Sequence, residues 1–257
     1  MDYVEKAILG IPIVTDLGEI KPLSLYDYVN LGVELQVVSF EKTRILHEYR
    51  LNLDIEVQKS KELEAQMKKL NETKSLKEIV TGVIPAFLNA YIAIIAQSMF
   101  SDIENTEDRI KKSHDFVKEL DDTQFENLRD IILKINSQSK QKAFLDYELQ
   151  RKKEQGIRLN SQGKEGANLV TMISSVVSFS GIDYDIISNW NYARLLHAFN
   201  RIAQFKAYDT TTMFMTVSGD VTANNWQENF EVKDDSATSD SFAVSFDSFT
   251  KEVGDKL

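Results

Sequence analysis

The feature that most constrains the fold is a run of 22 residues, positions 79–100, without a charged side chain. A run of this length can cross a bilayer as one helix, so it belongs either to a membrane or to the centre of a folded core. Pro85, Asn89 and Gln97 interrupt its apolar character, and no cluster of basic residues flanks it. We therefore expect a buried core segment and no association with a membrane.

The composition favours a folded protein that does not bind nucleic acid. Hydrophobic residues make up 42% of the 257 positions, a share typical of globular chains. The net charge of −10 opposes binding to phosphate backbones and to anionic lipids. The absence of cysteine excludes disulfides and thiolate chemistry and is compatible with a reducing cytoplasm. The N-terminus lacks the order of basic, apolar and small residues that is typical of a signal peptide.

The first 40 residues predict a β-hairpin followed by a helix. Two β-prone runs flank a turn at positions 15–18, and Pro12 and Pro22 confine these strands to the edge of a sheet. Ser24 offers an N-cap for a helix that we expect to reach Phe40.

Residues 49–58 fit two patterns. Apolar and polar side chains alternate along the segment, which is typical of a strand. Ile45, Tyr49, Leu53 and Val57 also recur at the four-residue spacing of a helix, and strong helix formers follow. Both alternatives remain open on these patterns, and the resemblance described below favours the helix.

The rest of the chain predicts mostly helices. Helical patterns occur in the segments 103–120, 124–135, 140–154, 169–179 and 190–208. Glycines mark a mobile connection near 155–167, and the β-branched segment 210–217 predicts a strand. The expected fold class is therefore mainly α: a helical bundle with a small N-terminal β-hairpin and a short β segment near the C-terminus. We expect one mostly helical domain over residues 1–232.

The helix predicted at 190–208 carries a cationic surface. Arg194, His197 and Arg201 recur at helical spacing on one stripe, and no acid occurs between Asp185 and Asp209. These side chains either lie over apolar surface and pair with acids elsewhere, or form a docking face for an acidic partner. We select them as candidate partner-binding residues.

The final segment, 233–257, is rich in Ser and Asp and predicts a flexible acidic tail. Within it Phe242, Val244 and Phe246 alternate with small residues, a pattern that suits a strand added to another surface. A tail without a role is the alternative. We include these three residues among the candidate partner-binding residues.

The sequence contains no arrangement of residues that specifies catalysis. The three histidines are scattered without metal-binding spacing. The Gly-Lys pair at 163–164 is followed by Glu165, where a phosphate-binding loop needs Ser or Thr, and no nucleophile-turn pattern occurs. We therefore predict a non-enzymatic protein with no catalytic residues, no metal and no cofactor.

Four stretches resemble a family of tail-region proteins from phages of Gram-positive bacteria. They are IVTDLGEIKPLSLYDY at 13–28, TQFENLRDIILKIN at 123–136, the segment from ISSVV to HAFNRI at 173–202, and KAYDTTTMFMTVSGDVTANNW at 206–226. Trp190 and Asn191 depart from the family pattern, in which a Thr-Tyr pair is expected. These proteins are encoded near the tape-measure protein and are generally regarded as tail assembly chaperones or related morphogenesis factors.

The resemblance implies a function in phage tail assembly. A protein of this kind binds the long helical tape-measure chain or other tail proteins, prevents their aggregation, and leaves as tail-tube subunits polymerise. It implies location in the host-cell cytoplasm during assembly, with a homo-oligomer as a further expectation. Two alternatives are a permanent virion component of the neck, tail or baseplate, and a phage protein that binds and modulates a host protein.

Overall fold

A computed structural model describes residues 2–160 and 167–217 of the chain, and these residues form a mainly helical fold with one β-hairpin. The strands are β1 Ile13–Thr15 and β2 Gly18–Ile20. The α-helices are α1 Tyr3–Leu9, α2 Leu25–Asn30, α3 Gly32–Ser39, α4 Lys42–Leu51, α5 Ile55–Gln58, α6 Lys61–Thr73, α7 Leu76–Glu78, α8 Leu88–Met99, α9 Thr106–Glu119, α10 Asp122–Ile135, α11 Tyr147–Asn160, α12 Leu169–Ser180, α13 Tyr184–Ser188 and α14 Tyr192–Met215. The predicted fold class, mainly α with an N-terminal hairpin, is confirmed.

The N-terminal hairpin forms as predicted. β1 and β2 pair antiparallel, with Ile13 opposite Ile20 and Thr15 opposite Gly18. Thr15 stabilises the turn because its hydroxyl donates to the carbonyl of Gly18 over 2.9 Å. Ile13 and Ile20 are buried, so the hairpin contributes one apolar face to the main core.

The uncharged run at 79–100 lies in the core, as predicted. It forms a π-helical turn Ile79–Val83, a 3₁₀ turn Pro85–Phe87 and then α8. α8 buries Tyr91, Ile94 and Ile95 and packs between α3 and α9. Within the described residues, no single helix is long and apolar enough to cross a membrane, although the segments Leu76–Val83 and Pro85–Met99 would suffice together and are bent by 104°.

The main core closes around α8 and also holds a charged side chain. Arg129 on α10 is buried, and its guanidinium donates to the carbonyls of Val38, Ser39 and Phe40 at 2.7, 3.0 and 3.0 Å. These carbonyls lie at the C-terminal end of α3, where the helix itself leaves acceptors unsatisfied. Arg129 therefore joins α10 to the end of α3.

A second, smaller core forms between α12, α13 and α14. Its buried members are Leu25, Met172, Val176, Ile187, Leu195 and Phe199. Asn191 connects this core to the N-terminal part of the fold, because its side-chain amide donates to the carbonyl of Ala7 over 2.6 Å. α14 thus begins at a point fixed by contacts to α1.

Two segments in the N-terminal half have a structure that the sequence alone did not determine. The helix expected from Ser24 through Phe40 is interrupted at Leu31 and consists of α2 and α3. Residues 49–58 are helical rather than extended: α4 continues to Leu51 and α5 begins at Ile55. The burial of Ile45 and Leu46 on α4 provides the tertiary contacts that select the helix.

The helix predicted at 140–154 begins later in the chain. Residues 140–146 precede α11, and Gln141 pairs with the segment after α3, donating to the carbonyl of Ser39 over 2.9 Å. α11 continues through Asn160, so the first part of the connection expected near 155–167 is helical. Residues 161–166 lie outside the described part of the chain.

The strand predicted at 210–217 is wrong, because α14 continues through Met215. Local β-propensity is overridden here by the preceding helix. The hydroxyls of Thr211 and Thr212 donate to the carbonyls of Ala207 and Tyr208, each over 2.8 Å, so both threonines are satisfied within the helix. The tail predicted at 233–257 lies outside the described residues.

Candidate partner-binding surface

α14 is the longest helix in the described residues, and its first turn is firmly anchored. The side chain of Asn191 accepts from the backbone N–H of Arg194 over 2.9 Å and caps the helix. Ala193 packs into the main core, while Leu195 and Phe199 pack into the second core. The helix is therefore held along one side at its N-terminal end.

The opposite side of α14 carries a continuous row of side chains that are exposed or half-buried. They recur at steps of three and four residues, the spacing of one helix face, and we call them the α14 strip. The α14 strip consists of Arg194, His197, Arg201, Phe205, Tyr208, Thr212 and Met215. Its first half is cationic and its second half is mainly apolar.

The cationic half contains the three residues selected from the sequence on this helix. The Arg194 guanidinium lies over the ring of Trp190 at 4.6 Å from the centroid, which holds its charge at the surface. Arg201 donates to the side-chain oxygen of Gln204 over 3.2 Å. Burial, together with the nearby Arg201, lowers the pKa of His197, so this imidazole is neutral near pH 7. The two arginines thus supply the positive charge.

The apolar half lies beyond the part of α14 that the second core covers. Phe205 packs edge-on against Phe179 of α12, with centroids 6.3 Å apart, yet remains 36% exposed. The last turn exposes Met213, Phe214 and Met215. Several large apolar side chains on one helix end are typical of a surface that binds another protein.

The other three candidate residues, Phe242, Val244 and Phe246, lie outside the described residues. The structure therefore does not place them relative to the α14 strip. Their selection as partner-binding residues stays a prediction.

The structure also reveals a buried basic group that the sequence analysis missed. Arg44, His47 and Arg50 lie on one face of α4, and Glu154 of α11 approaches the first two, 3.3 Å from His47 Nε2 and 3.8 Å from Arg44 Nη1. Burial lowers the pKa of His47, so the ring is neutral at pH 7. Three basic residues at a spacing of three along α4 were the sequence pattern that could have predicted this group. Arg44 and His47 face Glu154 of α11, and His47 and Arg50 are buried away from any protein partner.

The described residues hold no group of three or more histidines, aspartates or glutamates that could bind a metal ion. The clearest enclosed space is a small apolar cavity in the main core, lined by side chains that include Ile94, Phe125 and Ile132. Tyr91 and Arg129 also line it, but the Arg129 guanidinium is engaged with the carbonyls of Val38, Ser39 and Phe40, and the cavity is too small to hold a substrate. The α14 strip combines two arginines with exposed apolar side chains on one helix face, and it is therefore the candidate partner-binding surface.

Comparison with known proteins relates the chain to a prophage family. A sequence model of the YomV N-terminal domain matches residues 1–144, and a model of the YomV second domain matches residues 160–231. The SPbeta prophage-derived uncharacterized protein YomV of Bacillus subtilis (strain 168) is 30% identical over 225 residues, which cover 87% of each chain. No solved structure matches the chain.

Proposed function

The chain belongs to the YomV family, which is phage-derived, and from this membership we propose that it is a non-enzymatic binding protein of phage tail assembly. In this proposal it acts as a tail assembly chaperone that binds the tape-measure protein. The observation that supports the proposal most is the α14 strip. The phage origin of the family supports a function in phage assembly. The resemblance to tail-region proteins supports the tape-measure protein as the partner.

The spacing of the α14 strip suits a partner that is itself helical. Side chains at steps of three and four residues follow one line along a helix, and a second helix can pack along that line with its own apolar face. The α14 strip runs from Arg194 to Met215 and therefore provides about 32 Å of contact length. A tape-measure protein, as a long helical chain, supplies segments of this form.

The charges of the α14 strip define the partner segment further. Arg194 and Arg201 favour acidic residues opposite the first half, while Phe205 and Met215 favour apolar residues opposite the second half. The partner segment is therefore a helix whose contact face is acidic towards one end and apolar towards the other. Covering its apolar face would prevent aggregation, and the net charge of −10 would keep the complex in solution.

The direct test is co-expression of the full chain with fragments of the tape-measure protein from the same phage. We expect one or more fragments that are insoluble alone to remain soluble and to co-purify with the chain. Substituting Arg194→Glu together with Arg201→Glu should weaken binding by about tenfold or more and should remove most of its salt dependence. The matched control is Arg151→Glu with Lys152→Glu on exposed positions of α11, which makes the same change in net charge.

A second pair of variants separates apolar contact from charge. Met215→Glu should weaken binding, whereas Val33→Glu places the same side chain on another exposed apolar position, on α3, and should not. If no fragment binds, the chaperone proposal fails, whereas fragment binding of equal strength in all four variants would show that the α14 strip is not the binding surface. Recovery of the chain from purified phage particles in stoichiometric amount would instead favour the permanent virion component.

A further inference from the structure

Arg50, near the end of α4, is a buried charge whose hydrogen-bond donors are unfilled. The residue is 1% exposed, and its guanidinium nitrogens Nε, Nη1 and Nη2 donate to no described residue. Arg129 is buried to a similar extent but donates to three backbone carbonyls. An enclosed guanidinium without acceptors is strongly unfavourable, because the charge has left water without compensating hydrogen bonds. The fold therefore supplies donors at Arg50, and the described residues supply no acceptor.

The guanidinium of Arg50 keeps its charge at pH 7. Burial lowers the pKa of this group, and the nearby Glu64, Asp146 and Tyr147 act in the opposite direction. The usual pKa of arginine is so far above neutrality that the group stays protonated. What is missing around it is therefore a group that accepts hydrogen bonds and carries negative charge.

Two carboxylates lie near Arg50, but each binds another donor. Glu64 on α6 accepts from the ammonium of Lys68 over 2.6 Å. Asp146 accepts from the backbone N–H of Leu149 over 2.8 Å, as a capping residue does at the start of a helix. Neither carboxylate accepts a hydrogen bond from Arg50. Both therefore act on the guanidinium only from a greater distance.

The N-terminus of α11 is a second feature that favours an anion at this place. Asp146 and Tyr147, where this 14-residue helix begins, are close enough for their charges to act on Arg50. The first turn of a helix presents unpaired backbone N–H groups and the positive end of the helix dipole. A helix N-terminus and an arginine are both common binding groups for phosphate.

We propose that Arg50 and the first turn of α11 bind a phosphate group, either as inorganic phosphate or as a small phosphomonoester. Two N–H groups of the guanidinium donate in parallel to two phosphate oxygens. This contact is direct, whereas Glu64 and Asp146 are more distant and have donors of their own. Since the energy between charges decreases with distance, the attraction to Arg50 exceeds the repulsion from the two carboxylates.

α11 provides the route of entry, and its position defines the consequence of binding. From Arg151 to Leu159 its residues are exposed except for the half-buried Gly156, so its later turns have little support from the rest of the fold. α11 also lies almost wholly between the two YomV domain matches, at 1–144 and 160–231. A bound phosphate therefore holds the helix between these domains against α4 of the first one. The site is separate from the α14 strip and does not depend on the proposed function.

Thermal unfolding of the full chain at constant ionic strength, with and without inorganic phosphate, tests the site. At a phosphate concentration about ten times the dissociation constant, we expect the melting temperature to rise by roughly 3–6 °C. Glycerol phosphate serves as the phosphomonoester in a parallel titration. The probe with the lower dissociation constant shows whether the site prefers the free or the esterified phosphate.

Two matched variants assign the effect to Arg50. Arg50→Met should abolish the rise in melting temperature. Without phosphate it should be at least as stable as the unaltered chain, because it removes a buried charge that lacks hydrogen bonds. Arg151→Met, at an exposed position on α11, is the control and should keep the full rise.

Amide hydrogen exchange of the unaltered chain locates the ligand independently of any variant. Phosphate should slow exchange in the first turn of α11 and leave exchange in α14 unchanged. The inference is overturned if phosphate does not raise the melting temperature, or if it raises that of Arg50→Met equally. Failure of Arg50→Met to fold would also contradict it, since Arg50 would then be paired within the fold. None of these outcomes bears on fragment binding by the α14 strip.

Discussion

The two hydrophobic cores of this protein differ in how completely they are covered. The main core closes on all sides of α8 and contains large side chains, such as Phe125, that are almost wholly buried. Among the described residues, the second core has six buried members and leaves Phe179 and Phe205 partly exposed at its edge. The difference indicates that the main core contributes most of the stability, while the edge of the second core carries the α14 strip that we propose as a partner-binding surface.

The largest expected effect is a difference in the stability lost when a phenylalanine of each core is replaced by alanine. Phe125 is 1% exposed and packs against Tyr91 with ring centroids 5.0 Å apart, so Phe125→Ala should lower the free energy of unfolding by about 3–5 kcal/mol. Phe179 is 47% exposed, and Phe179→Ala should cost about 1 kcal/mol or less. Chemical denaturation of both variants measures the difference. Equal losses would contradict the division between the cores.

The buried arginine of the main core should have the next largest effect. Arg129→Met removes the donors to the carbonyls of Val38, Ser39 and Phe40 and should destabilise the protein by about 2–4 kcal/mol. Arg151→Met, at an exposed position on α11, is the control and should change stability by under about 0.5 kcal/mol. A midpoint for Arg129→Met equal to the control would show that the carbonyls find other donors.

The connection between the two cores should have an intermediate effect. Asn191→Ala removes both the cap of α14 and the hydrogen bond to Ala7, with an expected cost of about 1–3 kcal/mol. Asn189→Ala removes only an exposed hydrogen bond to Asp185 and serves as the matched control. In Asn191→Ala, amide hydrogen exchange in the first turns of α14 should also become faster. Unaltered exchange there would show that Asn191 does not anchor the helix.

The smallest expected effect is a dependence of stability on pH. Burial lowers the pKa of His47 below its usual value near 6.5, while Glu154 and Glu48 oppose this shift and Arg44 adds to it. The unfolded chain therefore binds a proton more readily, so stability is complete above about pH 6.5 and falls as pH decreases towards the folded pKa.

His47→Gln should reduce this loss of stability between pH 7 and pH 5, measured by denaturation at each pH. The pKa of His197 is lowered in the same direction, so His197→Gln is the comparison that isolates the contribution of His47. A pH profile unchanged by His47→Gln would contradict the buried neutral imidazole.

The elements that follow from local pattern were predictable, and those that depend on distant contacts were not. The uncharged run at 79–100 and the hairpin around positions 15–18 have strong local signals, and both are confirmed. Residues 210–217 look β-prone in isolation, but continuation of α14 and the threonine hydroxyl bonds decide for a helix. Propensity is weak compared with these contacts.

The candidate surface shows the same limit. Helical spacing was sufficient to place Arg194, His197 and Arg201 on one face. It could not extend that face to Thr212 and Met215, because the helix was expected to end before them. Hydrogen bonds that span the chain, such as those from Arg129 to the end of α3 or from Asn191 to Ala7, leave no local pattern in the sequence.

The most direct test of the account is hydrogen–deuterium exchange of the full chain with and without a bound tape-measure fragment. The account predicts that the fragment slows exchange along α14, most of all from Phe205 to Met215, where the helix has least support from the second core. Exchange in α8 should remain the same. Binding that leaves α14 unchanged and protects another surface would contradict the assignment of the α14 strip as the partner-binding site.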